Sequence, residues 1–113
     1  EGEARAIYRH RYIKAPGFER IVNPRLRVMV VDAGVHSDPA RATRWLQDIV
    51  GTIPDGRFGP VTATAVNALV AWQLADRFMA RRLRHMARLM RDDPDQRVFA
   101  GGWMNRVAGM LEL

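Results

Sequence analysis

Ile53-Pro54-Asp55-Gly56-Arg57-Phe58-Gly59-Pro60-Val61-Thr62 reads as a tight turn that passes straight into a helix. Asp55-Gly56 favours the turn, because an aspartate side chain caps nearby amides and glycine accepts positive φ. Gly59-Pro60 then sets a helix start with proline at the first helical position. Trp45-Leu46-Gln47 lies upstream and Ala65-Val66 downstream, so the stretch is expected to be a hinge between two helices.

Working outward, the upstream helix starts at Ser37-Asp38-Pro39, a cap followed by proline. Its apolar positions Ala42, Trp45, Leu46, Ile49 and Val50 recur at helical spacing until Gly51. Asn23-Pro24 repeats the start signal for a helix carrying Leu26, Val28, Met29, Val30, Val31, Ala33 and Val35. That helix is apolar almost all round, which predicts the deepest burial, although its four valines make a strand the competing reading. At the N-terminal end, Ala6, Ile7, Tyr8 and Tyr12 suit an amphipathic helix ended by Ala15-Pro16-Gly17, and Phe18 to Val22 form a further turn. Downstream of the opening turn no Gly or Pro occurs from Val61 to Asp93, and a bend is expected near Asn67 to Trp72. Phe99 to Leu111 makes the last helix, its start loosened by Gly101-Gly102, with Trp103, Val107, Met110 and Leu111 on one face. The expected fold is one all-α domain over residues 1–113, with about five to seven helices in a compact orthogonal arrangement.

The composition excludes several classes. The 113 residues contain no cysteine, so a disulfide framework and a thiolate zinc site are both unavailable. No apolar run approaches the roughly 20 residues that a membrane span requires. His10, His36 and His85 show no i,i+4 pairing for a metal, and no nucleophile-elbow pattern is present. No cofactor or metal is therefore expected. A glycosidase needs two carboxylates with separated proton affinities. Glu1, Glu3, Glu19, Asp32, Asp38, Asp48 and Asp55 are the candidates, and none stands in a recognisable catalytic context. The net charge of +6 predicts attraction to polyanions, and Lys14 is the sole lysine, so the charge is carried by arginine.

The arginines divide into two groups. At 100° per residue, Arg77, Arg81, Arg84, Arg88 and Arg91 share one helical face, opposite Phe78, Met79, Leu83, Met86, Leu89 and Met90. Arg82 falls inside the apolar face, and Asp32 falls inside the apolar run of its own helix. A buried guanidinium needs an anion, which predicts an interhelical pair of Asp32 with Arg82 or Arg106. Among aromatic side chains, Trp45 and Trp103 lie on apolar faces as core residues, whereas Trp72 follows no stripe and is the expected exposed sugar platform, with Tyr8 and Tyr12 as further ones.

Several motifs occur in order along the chain: Tyr8 and Tyr12, Asp32-Ala33 with Val35, Ala42 before Leu46-Gln47, Asp55-Gly56-Arg57-Phe58-Gly59-Pro60 with Thr62 and Ala65, Arg82, and Gly102-Trp103 with Arg106-Val107. This succession resembles the phage and bacterial N-acetylmuramidases of glycoside hydrolase family 108, in particular their C-terminal predicted peptidoglycan-binding domain. The Leu-Gln and Asp-Gly-x-x-Gly-Pro-x-Thr piece by itself also resembles the general three-helix peptidoglycan-binding repeat. Where the family pattern reads Asp-x-x-Val-Asn-x-Gly-Pro, this chain has Asp32-Ala33-Gly34-Val35-His36-Ser37-Asp38-Pro39. The resemblance implies a lysozyme-like helical portion that contacts peptidoglycan glycan strands, while the catalytic glutamate belongs to a Glu-Gly-Gly-Tyr-like motif upstream of the first helix.

The start at Glu1-Gly2-Glu3 without methionine fits a processed form or a piece of a longer chain. No catalytic residue is therefore assigned within this chain. Tyr12, His36, Arg57 and Trp72 are the expected ligand contacts, with Asp32, Arg82, Trp103 and Arg106 structural. Action is expected at the bacterial cell wall, periplasmic or extracellular, after export or phage lysis. A basic module binding nucleic acid or anionic membrane through Arg77 to Arg91 is the alternative, with nucleic acid the less expected partner, and a homodimer is a further possibility.

Overall fold

The computed structural model describes residues 2–113, all of whose regular structure is helical. Six α-helices follow in order: α1 (Gly2–Arg9), α2 (Pro24–His36), α3 (Pro39–Val50), α4 (Pro60–Ala68), α5 (Ala71–Asp92) and α6 (Ala100–Leu111). Short turns fill the joints: a π-helical turn at His10–Lys14 continues α1, and 3₁₀ turns occupy Phe18–Arg20 and Pro94–Phe99.

The helix starts obey the local chemistry. Asn23 accepts a hydrogen bond from the Leu26 amide at 2.9 Å, Asp38 accepts from the Ala40 amide at 3.3 Å, and each is followed by proline. Gly51 ends α3 in the left-handed region at φ 81°. Between α4 and α5, Leu69 and Val70 turn extended, which places the bend within the Asn67 to Trp72 window. Asn67 makes this corner a joint: its Nδ2 donates to the Arg20 carbonyl at 2.9 Å, and its Oδ1 accepts from the Val22 amide at 3.1 Å.

α2 is helical, not a strand, and buries Leu26 and the run Met29 to Gly34. The core joins these side chains to Phe18 and Ile21 from the first connection, Ala42, Trp45 and Leu46 from α3, Val66 from α4, Leu74, Phe78 and Met79 from α5, and Val107 from α6. Trp45 is buried edge-on to Phe78 at 5.9 Å between ring centroids. Leu83 departs from expectation and is exposed. At 100° per residue it lies at the margin of the face centred on Phe78 and Arg82. Among the described residues, no helix is long and apolar enough to cross a membrane.

Candidate functional site

Two polar joints and one cleft organise the side chains capable of recognition. The first joint is ionic. Asp32, near the end of α2, is buried, and its Oδ2 accepts from Arg82 Nη1 of α5 at 2.7 Å. Its Oδ1 accepts from Arg106 Nε of α6 at 2.8 Å, so both predicted arginines hold one carboxylate. Arg82 is 2% exposed, whereas the Arg106 side chain keeps 45% of its surface. Burial by itself would raise the Asp32 carboxyl, but the hydrogen bonds from Arg106 and Arg82 and their two charges outweigh it and hold it low.

His36 lies one turn beyond Asp32 on α2, edge-on to Trp103 at 5.8 Å, and Trp103 in turn stacks on Phe99 at 6.0 Å. The imidazole is pushed below its ordinary value, first by the part of it that Trp103 and its surroundings shield from water, then by the Arg82 and Arg106 charges. Trp103 is thus half-buried at the edge of the core.

The second joint is neutral and closes the Ile53–Thr62 turn. Gln47, buried on α3, places Nε2 within 3.0 Å of Asp55 Oδ1, the Arg57 carbonyl and Thr62 Oγ1. Its Oε1 accepts from the Gly56 amide at 2.9 Å. The turn is therefore fastened to α3 by one side chain, and the expected hinge is a fixed joint. Gly56 takes φ 77°, and Asp55 Oδ1 also accepts from the Arg57 amide at 2.9 Å, which with Gln47 holds the Asp55 carboxyl low. Phe58 anchors the far side, edge-on to Phe18 at 5.8 Å. A Cβ on Gly17 would meet the Phe58 carbonyl oxygen at 2.8 Å, and Gly17 has φ 89°, so only glycine fits that approach.

The cleft lies between the N-terminal helix and α2. It encloses ≈ 430 Å³ and is lined by Tyr8, Ile13, Glu19, Arg27, Val31 and Asp32 among others. Ile13 and Val31 give an apolar wall, Tyr8 an exposed aromatic face, and Glu19 and Arg27 a charged rim. Arg27 is fixed there by donating to the Ile21 carbonyl at 2.9 Å. Tyr8 pairs with Tyr12 at 5.2 Å, and the Arg11 guanidinium lies 5.5 Å from the Tyr12 ring centre. The π-helical turn at His10–Lys14 sets where Tyr12 and Ile13 fall relative to Tyr8.

The four expected contacts do not converge on this cleft. Tyr12 adjoins it through Tyr8, and His36 lies one turn of α2 past Asp32, against Trp103 and outside the lining of the cleft. Trp72 is 61% exposed at the start of α5, ten residues before Arg82, or about 15 Å of helical rise. Arg57 is exposed on the turn. Arg20 ties the turn to the end of α4, its Nη1 donating to the Phe58 carbonyl at 3.4 Å and its carbonyl accepting from Asn67. Sequence reasoning missed Gln47 as a fastening residue and Glu19 and Arg27 as a rim, because each depends on which segment folds back over it.

The carboxyls whose proton affinity the surroundings clearly change, Asp32, Asp55 and Asp92, are all pushed down, the reverse of what a general acid needs. Among the described residues, no three His, Cys, Asp or Glu side chains converge as a metal set.

No curated protein sequence matches the chain. Its structure is similar to that of Brucella abortus SagA, with a TM-score of 0.83 and 28% sequence identity, covering 97% of this chain and 60% of that one. The chain thus spans less than two thirds of that protein. Residues 41–108, more than half of the sequence, match the family described as Predicted Peptidoglycan domain, and the chain belongs to that family.

Proposed function

We propose that this chain is the peptidoglycan-binding part of a muramidase-type cell-wall hydrolase, of the kind found in glycoside hydrolase family 108. It contacts glycan strands and supports hydrolysis of the bond between N-acetylmuramic acid and N-acetylglucosamine by a glutamate supplied upstream. Membership in the Predicted Peptidoglycan domain family is the observation that carries this reading. The cleft adds chemical support: an aromatic face beside apolar and charged groups suits a sugar ring, which offers apolar C–H surface and hydroxyls together. Tyr8 and Tyr12 form the glycan platform at the N-terminal helix, and His36, one turn of α2 past Asp32, is a further contact. Trp72 and Arg57 are outlying contacts. Asp32 does not act as acid or nucleophile, because both its oxygens are occupied by guanidiniums.

The test is retention on purified insoluble peptidoglycan at low and moderate salt, beside a DNA shift assay. The expected result is retention that survives moderate salt and falls several-fold in Tyr8→Ala. Shifted DNA with no retention on sacculi would overturn the reading in favour of a nucleic-acid module. Turbidity clearing of bacterial walls by this chain alone would contradict the assignment of the catalytic glutamate to upstream sequence.

A further inference from the structure

A second concavity, of ≈ 470 Å³, runs between α3 and α5 on the arginine face. Arg77, Arg81 and Arg84 border it, Ile49 contributes an apolar side, and Asp48 and Asp76 place two carboxylates in the same groove. Arg81 Nη1 meets Asp48 Oδ2 at 3.3 Å, with both side chains still substantially exposed. Arg77, Arg84 and Arg88 are exposed and have no carboxylate partner within 4 Å among the described residues. The helix therefore presents unsatisfied guanidiniums in a row, from Arg77 to Arg84 about 10 Å apart and continuing to Arg88. The whole groove falls inside residues 41–108, the segment that matches the family.

From this arrangement we infer that the α3–α5 groove binds the short peptide stems carried by the wall polymer, a ligand with carboxylates and a free ammonium. This inference rests on the proposed peptidoglycan contact and assigns it a second, chemically distinct half. Guanidiniums pair with carboxylates through two parallel hydrogen bonds, which accounts for Arg77 and Arg84. The same groove holds Asp48 and Asp76, which would repel a polyphosphate backbone but give an ammonium its partner. A nucleic acid carries no such cation, so the mixed charge favours a zwitterionic peptide. Each exposed pair is weak alone. Repetition of stems along one strand supplies strength through effective concentration.

The test compares intact sacculi with sacculi whose stem peptides have been removed enzymatically, using the full chain. The wild type should be retained several-fold better on intact sacculi, and Arg77→Gln/Arg84→Gln should lose that preference while binding the bare glycan unchanged. Asp48→Asn/Asp76→Asn should also weaken retention on intact sacculi, although it raises the net positive charge. Unchanged circular dichroism and melting temperature identify each variant as folded. A wild type that binds both polymers equally, or an arginine variant that keeps the preference, overturns this inference and leaves the glycan reading intact. Stronger binding by the aspartate variant shows a purely anionic ligand and overturns the zwitterionic assignment. Wild type retained on neither polymer overturns both readings.

Discussion

The ionic joint at Asp32 and the neutral joint at Gln47 do the same mechanical job by different physics. Asp32 connects α2, α5 and α6 across 50 and 74 residues of chain, using two cations on one carboxylate. Gln47 connects α3 to a turn only 8 to 15 residues away, using an amide that both donates and accepts. Removing a partner from the first leaves a buried charge, whereas removing the second leaves only buried dipoles. The joints should therefore differ in cost, in pH response and in how they can be replaced.

The largest effect is expected at Asp32. Asp32→Ala strands Arg82, which is 2% exposed, and should cost about 3–5 kcal/mol in chemical denaturation. A loss below about 1 kcal/mol would remove the distinction between the joints. Arg82→Met should cost less, since Asp32 keeps Arg106 and that arginine reaches solvent. Asp32→Leu/Arg82→Met should recover most of the loss of Asp32→Ala, because apolar groups of similar size replace a buried pair without leaving a charge behind.

Gln47→Ala should come next, at about 2–3 kcal/mol, from the buried Thr62 hydroxyl and the Gly56 amide left without their partner. Gln47→Glu sharpens the contrast. It sets a second carboxylate against Asp55 and the Arg57 carbonyl, so the new acid has a raised proton affinity. Stability tied to a raised group is present below its unfolded value and lost as pH rises. The deficit of this variant relative to wild type should therefore shrink on acidification, where a protonated glutamate regains a donor. A deficit that is constant with pH would mean that the turn does not hold the side chain against Asp55.

Acid should also separate the joints in the unaltered protein. Asp32 and Asp55 are both held below the ordinary carboxylate value of 3.8. A depressed carboxyl contributes stability above its unfolded value, and that contribution disappears as pH falls through the folded one. The stability of the wild type should thus decline below about pH 4, the ordinary aspartate range. Asp32→Asn should flatten the decline, and Asp55→Asn should change it far less because the solvated Asp55 is easily screened. Equal flattening by the two variants would contradict the difference in burial.

These joints also differ in how visibly the sequence announces them. Asp32 and Arg82 stand out because each is a charge inside an apolar helical face, and such a charge must find a counterion. The caps at Asn23 and Asp38 are similarly local and legible. Gln47 gives no such sign. It lies on the polar side of α3, away from Trp45 and Ile49, and is buried only because the Ile53–Thr62 turn folds back over it. Helical periodicity records what helices bury against one another and is silent about burial beneath a turn. The cleft at Tyr8 is hidden for a related reason, since the packing of the Phe18–Arg20 turn on α2 brings Glu19 and Arg27 to one rim.

The smallest expected effect concerns the two histidines at the edges of this core. His36 and His85 are both pushed below the ordinary value of 6.5, by partial desolvation first and then by arginines: Arg82 and Arg106 at His36, Arg41 and Arg88 at His85. Arg41 Nη1 approaches His85 Nε2 at 3.0 Å, so the neutral ring accepts a bond that protonation would destroy. Since the unfolded chain binds these protons more readily, stability should be complete above pH 6.5 and fall as pH drops through the folded values. Each site should contribute less than Asp32, because both rings retain contact with water. His85→Gln should flatten the curve between about pH 7 and 5 and keep a side chain able to accept from Arg41. A wild-type curve already flat across that interval would show that the arginines around both rings relax away on protonation, leaving the carboxylate of the ionic joint as the group that sets the pH dependence.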